Sequence, residues 1–339
     1  MADRAACKHA FLERAGWADA TCAHLAGDAS NRSYARLRRG AQSAVLMDAP
    51  PARGEDIRPF TRIARHLARL GLSAPAILAE DPEHGFLLLE DLGDALFSTV
   101  AEARPELEET LYAAAVEVLA ELHAHPVPPG IAAYDPPLMA GLSGLVLDWY
   151  LPAALGHPAP ESAEALRAAV EAATGSLATD RPVLILRDYH AQNLIWLPER
   201  QGPARVGLLD FQDAMAGHPA YDLVSLLEDA RRDTSAALRA AMYARYATET
   251  GTDPETLARA VAILGAQRNL RILGVFARLC LRDGKPGYVD LMPRVWDHLQ
   301  RDLAHPALAA LRAIVDDHLP APDPDLQARM KAQCPAPTP

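Results

Sequence analysis

Three residues set the chemistry to be explained. Asp188 follows the apolar run Val183–Leu186, Asn193 stands five positions later, and Asp210 closes a second apolar run, Val206–Leu209. Two strands joined by a turn would place all three at one end of a single hairpin. Phosphoryl transfer has a use for such a trio. The metaphosphate-like group needs Mg²⁺ to neutralise its charge and a carboxylate to orient the attacking hydroxyl. Acids and amides at turns also cap and bend the chain, and for any one of these residues alone that reading wins. For all three in register between apolar runs, the chemical reading is the better one.

The elements that must position them follow from periodicity. Residues 6–16 fit a first helix with Phe11 and Leu12 inward. His24–Leu37 reads as strand, tight polar turn and strand, in which Gly27, Ala29 and Ser30 let backbone N–H groups approach a phosphate. Ser43–Asp48 is a third strand. Glu55–Leu70 is a helix with Ile57, Phe60, Ile63, Leu67 and Leu70 at helical spacing, and Pro75–Ala79 and Phe86–Leu89 are two more strands. Helices are expected over Pro105–His123, Pro160–Thr174, His218–Asp229, Ser235–Thr248, Pro254–Leu281, Val289–Ala304 and Pro306–Leu319. Pro320–Pro339 is Pro-rich and reads as a poorly ordered tail.

Bulk properties bound the partners. The chain has 339 residues, enough for two lobes and a sizeable core. A formal charge of −11 argues against nucleic acid or an anionic membrane surface as the main partner. Cys7, Cys22, Cys280 and Cys334 form no Cys-x-x-Cys pair, so reduced thiols are expected. No N-terminal segment suggests export, and no apolar run approaches a membrane span. The expectation is a cytoplasmic enzyme with access to ATP.

Arg187-Asp188-Tyr189-His190-Ala191-Gln192-Asn193 followed by Asp210-Phe211-Gln212-Asp213-Ala214 resembles the aminoglycoside phosphotransferase family of kinase-like enzymes. The resemblance implies Asp188 as catalytic base, Asn193 and Asp210 as Mg²⁺ ligands, and ATP as phosphoryl donor. It implies an α+β, bilobal, protein-kinase-like fold. Residues 1–90 would be the antiparallel-sheet nucleotide lobe, 91–320 the mainly helical catalytic lobe, and 321–339 the tail. Glu90 and Leu92 would lie in the hinge that pairs with adenine, and Ser30 and Asn31 in the nucleotide-covering loop. His190 and Asp222 would support the catalytic loop, Asp222 by hydrogen-bonding its backbone. The sequence departs from the family at the third strand, where a Lys should fall near Met47. No Lys lies between Lys8 and Lys285, and the middle of the following helix carries no Glu. Arg32 or Arg36 would then hold the phosphates.

Within the family the pattern, including Gly27-Asp28-Ala29-Ser30 and Met47-Asp48-Ala49-Pro50-Pro51, looks most like anomeric sugar kinases of cell-wall recycling. These phosphorylate N-acetylmuramate and N-acetylglucosamine. Acceptor-site candidates are Asp213, Glu228, Arg231, Arg268 and Arg271. A sugar acid would want an Arg such as Arg268 or Arg271, whereas an aminoglycoside, the first rival, would want acids. A non-catalytic nucleotide-binding module is the second rival, and the absent Lys is its support.

Overall fold

The computed structural model describes residues 4–25, 31–157, 161–177 and 181–335. In chain order it begins α1 (Arg4–Arg14), β1 (Thr21–Leu25), β2 (Ser33–Arg39), β3 (Gln42–Asp48), α2 (Arg58–Arg69), β4 (Ile77–Asp81) and β5 (Phe86–Glu90). Next come α3 (Phe97–Ala103), α4 (Glu108–Ala124), α5 (Pro136–Ser143), α6 (Leu151–Leu155), α7 (Glu161–Gly175), β6 (Val183–Ile185), β7 (Leu194–Trp196), β8 (Val206–Leu208) and β9 (Met215–Gly217). The chain ends with α8 (Ala220–Leu227), α9 (Ala236–Thr250), α10 (Pro254–Leu281), α11 (Met292–Leu303), α12 (Ala309–His318) and α13 (Pro324–Ala332). Contacts divide it into two compact units, Met1–Leu122 with Ala191–Ala214 and His123–His190 with Met215–Pro339.

The first unit is built on a five-stranded antiparallel sheet of order β1-β2-β3-β5-β4. Phe11 of α1 stacks on Phe86 at 5.5 Å, and Trp17, Leu37, Ala44, Leu46 and Leu88 close that core. In α2 the buried Phe60, Ile63 and Leu67 repeat at helical spacing. Gly71, at φ 77°, follows where the helix ends. Met47, where the family's lysine would fall, is 1% exposed.

In the second unit α10 is the central helix. Its apolar residues join those of α11, α12 and α13 in one cluster with Tyr150 and Leu166. Asp253 caps it by accepting from the Thr256 N–H at 2.8 Å, with Pro254 in the first turn.

Four expectations are corrected. The two apolar runs do not form one hairpin. β6 pairs with β9, and β7 pairs with β8, so Asn193 and Asp210 belong to one two-stranded sheet and Asp188 follows a strand of another. The Pro-rich tail is not featureless, because Asp323 caps α13 and Leu326 and Met330 are buried. Cys280 and Cys334 form a disulfide that ties this last helical segment to α10; Cys7 and Cys22 are free. Finally, Pro136–Leu155 and Pro254–Leu281 are long and apolar enough to cross a membrane by length and composition alone. For the latter, 83% of the apolar window is buried inside this unit, as in the core helix of a globular fold.

His123, at a helix end, is buried, with Nδ1 2.8 Å from the Tyr246 hydroxyl. Burial pushes its pKa down from 6.5 to about 3. Unfolded, it takes up a proton near the ordinary value; folded, it stays neutral until far lower. Its contribution to stability is therefore complete above about pH 6.5 and is lost as the pH falls toward 3. In His123→Gln the acid limb of stability should flatten by roughly 1.4 kcal/mol per pH unit, as denaturant titrations between pH 6 and 4.5 would read. Equal slopes in the two proteins would refute this assignment.

Candidate functional site

In the second unit the segment carrying Asp188 is held by its backbone. Arg187 sits in the left-handed region at φ 71°, a conformation costing a non-glycine residue roughly 1 kcal/mol. Asp222, in the first turn of α8, accepts from the Leu186 N–H at 2.6 Å and the Arg187 N–H at 2.8 Å. One turn on, Ser225 Oγ donates to the Arg187 carbonyl at 3.0 Å and accepts from Arg268 Nη2 at 3.0 Å. Asp222 is fully buried, and burial pushes its carboxyl up to about 7 against the pull of those two N–H donors. His190 is buried too. Desolvation lowers its pKa, while the Asp229 and Asp188 carboxylates oppose that shift.

In the first unit, β7 and β8 bring Asn193 and Asp210 together. The Leu209 N–H donates to the Asn193 carbonyl at 3.0 Å, so the residues at the ends of the two strands face one another. Asp210 is left-handed at φ 57°, and its Oδ1 accepts from Gln212 Nε2 at 2.7 Å. Among the described residues Arg187 and Asp210 are the two non-glycine residues with positive φ. Strain of this kind persists only where the surroundings impose it, and it gathers at functional sites. Phe211 is buried and stacks on Phe60 of α2 at 4.8 Å. A carboxylate and a carboxamide at adjoining strand ends are hard oxygen donors. They suit Mg²⁺, which takes one or two protein ligands and fills its shell with water and substrate phosphates. Among the described residues no group of three or more His, Cys, Asp or Glu gathers as a fuller protein cage.

The remaining nucleotide candidates also lie in the first unit. Ser30 falls outside the described residues. Arg36 was a candidate for the phosphates, but its fork is taken: Nε meets Asp91 at 2.8 Å, and Nη1 and Nη2 meet Asp94 at 2.7 and 2.8 Å. The Asp94 bond, working against burial, holds that guanidinium above the usual arginine range. It clamps the segment after β5. Arg32 Nε lies 3.3 Å from Glu55 Oε2, and the Asn31 N–H also donates to Glu55 at 3.1 Å. Glu55 stands just before α2. Glu90 accepts from Arg200 at 2.6 Å, and Leu92 is buried over the β7–β8 hairpin, where a Cβ on Gly207 would come within 3.0 Å of it.

The acceptor candidates separate. Arg268 is 6% exposed and spends its donors on Ser225 and the Glu228 carbonyl. Glu228 is buried beside Asp302, both carboxylates bonded by Asn269 at 2.8 and 3.0 Å, with burial raising both pKa values. It lines a cavity of about 1090 Å³ walled by residues of α9, α10 and α11. Both side chains are thus already engaged inside the protein. Arg231 is exposed, its guanidinium 5.9 Å from the Tyr288 ring centre, and Asp213 is exposed on the first unit. Arg271 donates to the Tyr221 hydroxyl at 3.2 Å, which lies 3.3 Å from the Tyr134 hydroxyl; the Arg187 guanidinium is 5.6 Å from the Tyr134 ring centre. Sequence reasoning missed Tyr134, Tyr221 and Ser225. The one available signal was the four-residue spacing of Tyr221 and Ser225, which puts both on one face of α8.

Comparison with known proteins shows the family and the fold. Residues 21–259 match the phosphotransferase enzyme family (APH). The chain is 41% identical to an N-acetylmuramate/N-acetylglucosamine kinase of Caulobacter vibrioides, over 94% of this chain and 97% of that one. It is 36% identical to a protein of the same description from Pseudomonas aeruginosa, over 87% and 89% of the two chains. Its fold is similar to that of a choline/ethanolamine kinase family protein from Mesorhizobium loti, with a TM-score of 0.60 at 18% identity, covering 92% and 99%. The architecture is therefore the bilobal kinase-like one, with an antiparallel sheet in the small lobe and helices in the large lobe.

Proposed function

Because the chain belongs to the phosphotransferase enzyme family, we propose that it is an ATP- and Mg²⁺-dependent sugar kinase. Its acceptor is the anomeric hydroxyl of N-acetylmuramate or N-acetylglucosamine. The supporting observation is the pair of left-handed residues, Arg187 and Asp210, at the two loops that carry the acid, carboxamide and acid. Asp188 orients the sugar hydroxyl and takes its proton as the oxygen attacks the γ-phosphorus and the bond to the β-phosphate oxygen breaks. Asn193 and Asp210 would hold Mg²⁺, which would supply charge neutralisation at the phosphates. Asp222 and Ser225 fix the backbone at Arg187, so that Asp188 is oriented before substrate arrives.

Arg32, paired with Glu55, stands in for the family's strand-three lysine and its helix glutamate. Full-length relatives described as N-acetylmuramate/N-acetylglucosamine kinases support the choice of acceptor.

The test is ATP consumption with a panel of N-acetylated sugars, aminoglycosides and choline-like alcohols. Turnover confined to the N-acetylated sugars is expected. Turnover with aminoglycosides or choline alone would replace this reading, and nucleotide binding without transfer to any of them would favour a non-catalytic module. In the same assay Arg32→Ala should raise the KM for ATP about tenfold or more, the worth of one charge-assisted hydrogen bond. An unchanged KM would return the phosphate role to another group.

A further inference from the structure

Arg268 and Arg271 lie one turn apart on α10, yet their surroundings differ. Arg268 is buried and donates to both Ser225 and the Glu228 carbonyl. Arg271 is half-buried, and its one hydrogen bond is to the Tyr221 hydroxyl; among the described residues no carboxylate lies within ion-pair distance of it. A guanidinium drawn that far out of water costs several kcal/mol unless an anion or water satisfies it. Its planar fork suits two parallel bonds to a carboxylate.

The neighbours say which molecule brings the anion. Arg271 meets Tyr221, Tyr221 meets Tyr134, and the Arg187 guanidinium lies over Tyr134. Asp188 is the next residue along the chain from Arg187. Two cations thus flank a pair of phenols beside the residue assigned to the acceptor hydroxyl. Such a wall repels an aminoglycoside polycation and attracts an acceptor bearing a negative charge a few ångströms from the reacting oxygen. Burial works against the Arg271 charge, while the Asp188 carboxylate and the hydrogen bond to the Tyr221 hydroxyl favour it, so the group stays cationic without a bound anion.

We infer that Arg271 is a specificity-determining residue that receives the carboxylate of an acidic sugar acceptor, with the Tyr134–Tyr221 pair setting its orientation. This rests on the sugar-kinase reading above. N-acetylmuramate carries such a carboxylate on its lactyl ether, and N-acetylglucosamine has a hydroxyl there, so one residue decides how the enzyme ranks the two.

The experiment measures kcat/KM for N-acetylmuramate, its uncharged methyl ester and N-acetylglucosamine, in the native protein and in Arg271→Met, with melting curves to verify folding. The native enzyme should prefer the acid over its ester by about 10–100-fold, the worth of a hydrogen-bonded charge pair. Arg271→Met should lose that preference, and its loss on N-acetylmuramate should exceed its loss on N-acetylglucosamine by the same factor. Equal losses on all three acceptors, or a selectivity unchanged from the native enzyme, would overturn the inference while leaving the sugar-kinase reading in place. A native enzyme that phosphorylates none of the three would overturn that reading itself, and this inference with it.

Discussion

Asp188→Asn should abolish turnover while leaving the protein folded. The substitution keeps the size of the side chain and removes its capacity to take a proton. General-base action contributes typically ~10²–10⁴-fold in rate, so kcat should fall by about that factor. Stability should hardly change, because the segment is fastened elsewhere. Asp222 binds the Leu186 and Arg187 N–H groups, Ser225 binds the Arg187 carbonyl, and the Asp188 N–H reaches the Leu186 carbonyl at 2.9 Å whichever side chain is present. The KM for ATP should stay near its native value, since the role proposed for Asp188 is on the acceptor. Initial rates and a melting curve suffice, and most of the activity surviving in a folded variant would defeat the role assigned to Asp188.

Asp210→Asn is the second large effect, and it is a cleaner choice than alanine. Asp210 holds φ 57°, which Asn tolerates nearly as well as Asp, whereas Ala would add roughly 1 kcal/mol of backbone strain. Asn keeps an oxygen for Gln212 and removes the charge from the site proposed for Mg²⁺. A metal ion supplies several kcal/mol of charge stabilisation in phosphoryl transfer. A loss on the order of 10³-fold in kcat is therefore expected, with a higher Mg²⁺ concentration needed for half-maximal rate. A variant with the native Mg²⁺ dependence would place the metal elsewhere.

How much of this was legible in the sequence depended on the length of each element. Pro254–Leu281 is long enough for the 3.6 period to be read, and its bounds were recovered from that period with its Asp-Pro start and apolar face. The pairing of the strands beside Asp188, Asn193 and Asp210 was not legible. β6, β7, β8 and β9 have three residues each, too few to show alternation, so the two most apolar runs were joined when each in fact pairs with a less conspicuous neighbour. Helix α13 was hidden by its prolines, although Asp323-Pro324 is a helix start and Leu326 and Met330 are four apart. The Cys280–Cys334 bond spans 54 residues, a separation at which spacing says nothing about pairing.

The trio proposed for catalysis could be singled out because chemistry restricts residue type. The acceptor side was harder, because burial, not type, separates Arg268 from Arg271. Both arginines look alike as letters. Only the fold shows that one is buried and bonded to Ser225 and the Glu228 carbonyl while the other meets a single phenol.

The most direct test of phosphoryl transfer to an anomeric oxygen uses N-acetylglucosamine carrying ¹⁸O at that position, incubated with ATP, Mg²⁺ and the native protein, with the product read by phosphorus NMR and mass spectrometry. The expected product is the sugar 1-phosphate with the label retained in the bridge between carbon and phosphorus, because the sugar oxygen attacks the γ-phosphorus and its own bond to carbon is never broken. A phosphate on another hydroxyl, a bridge without the label, or ATP hydrolysed with no sugar phosphate formed would contradict it.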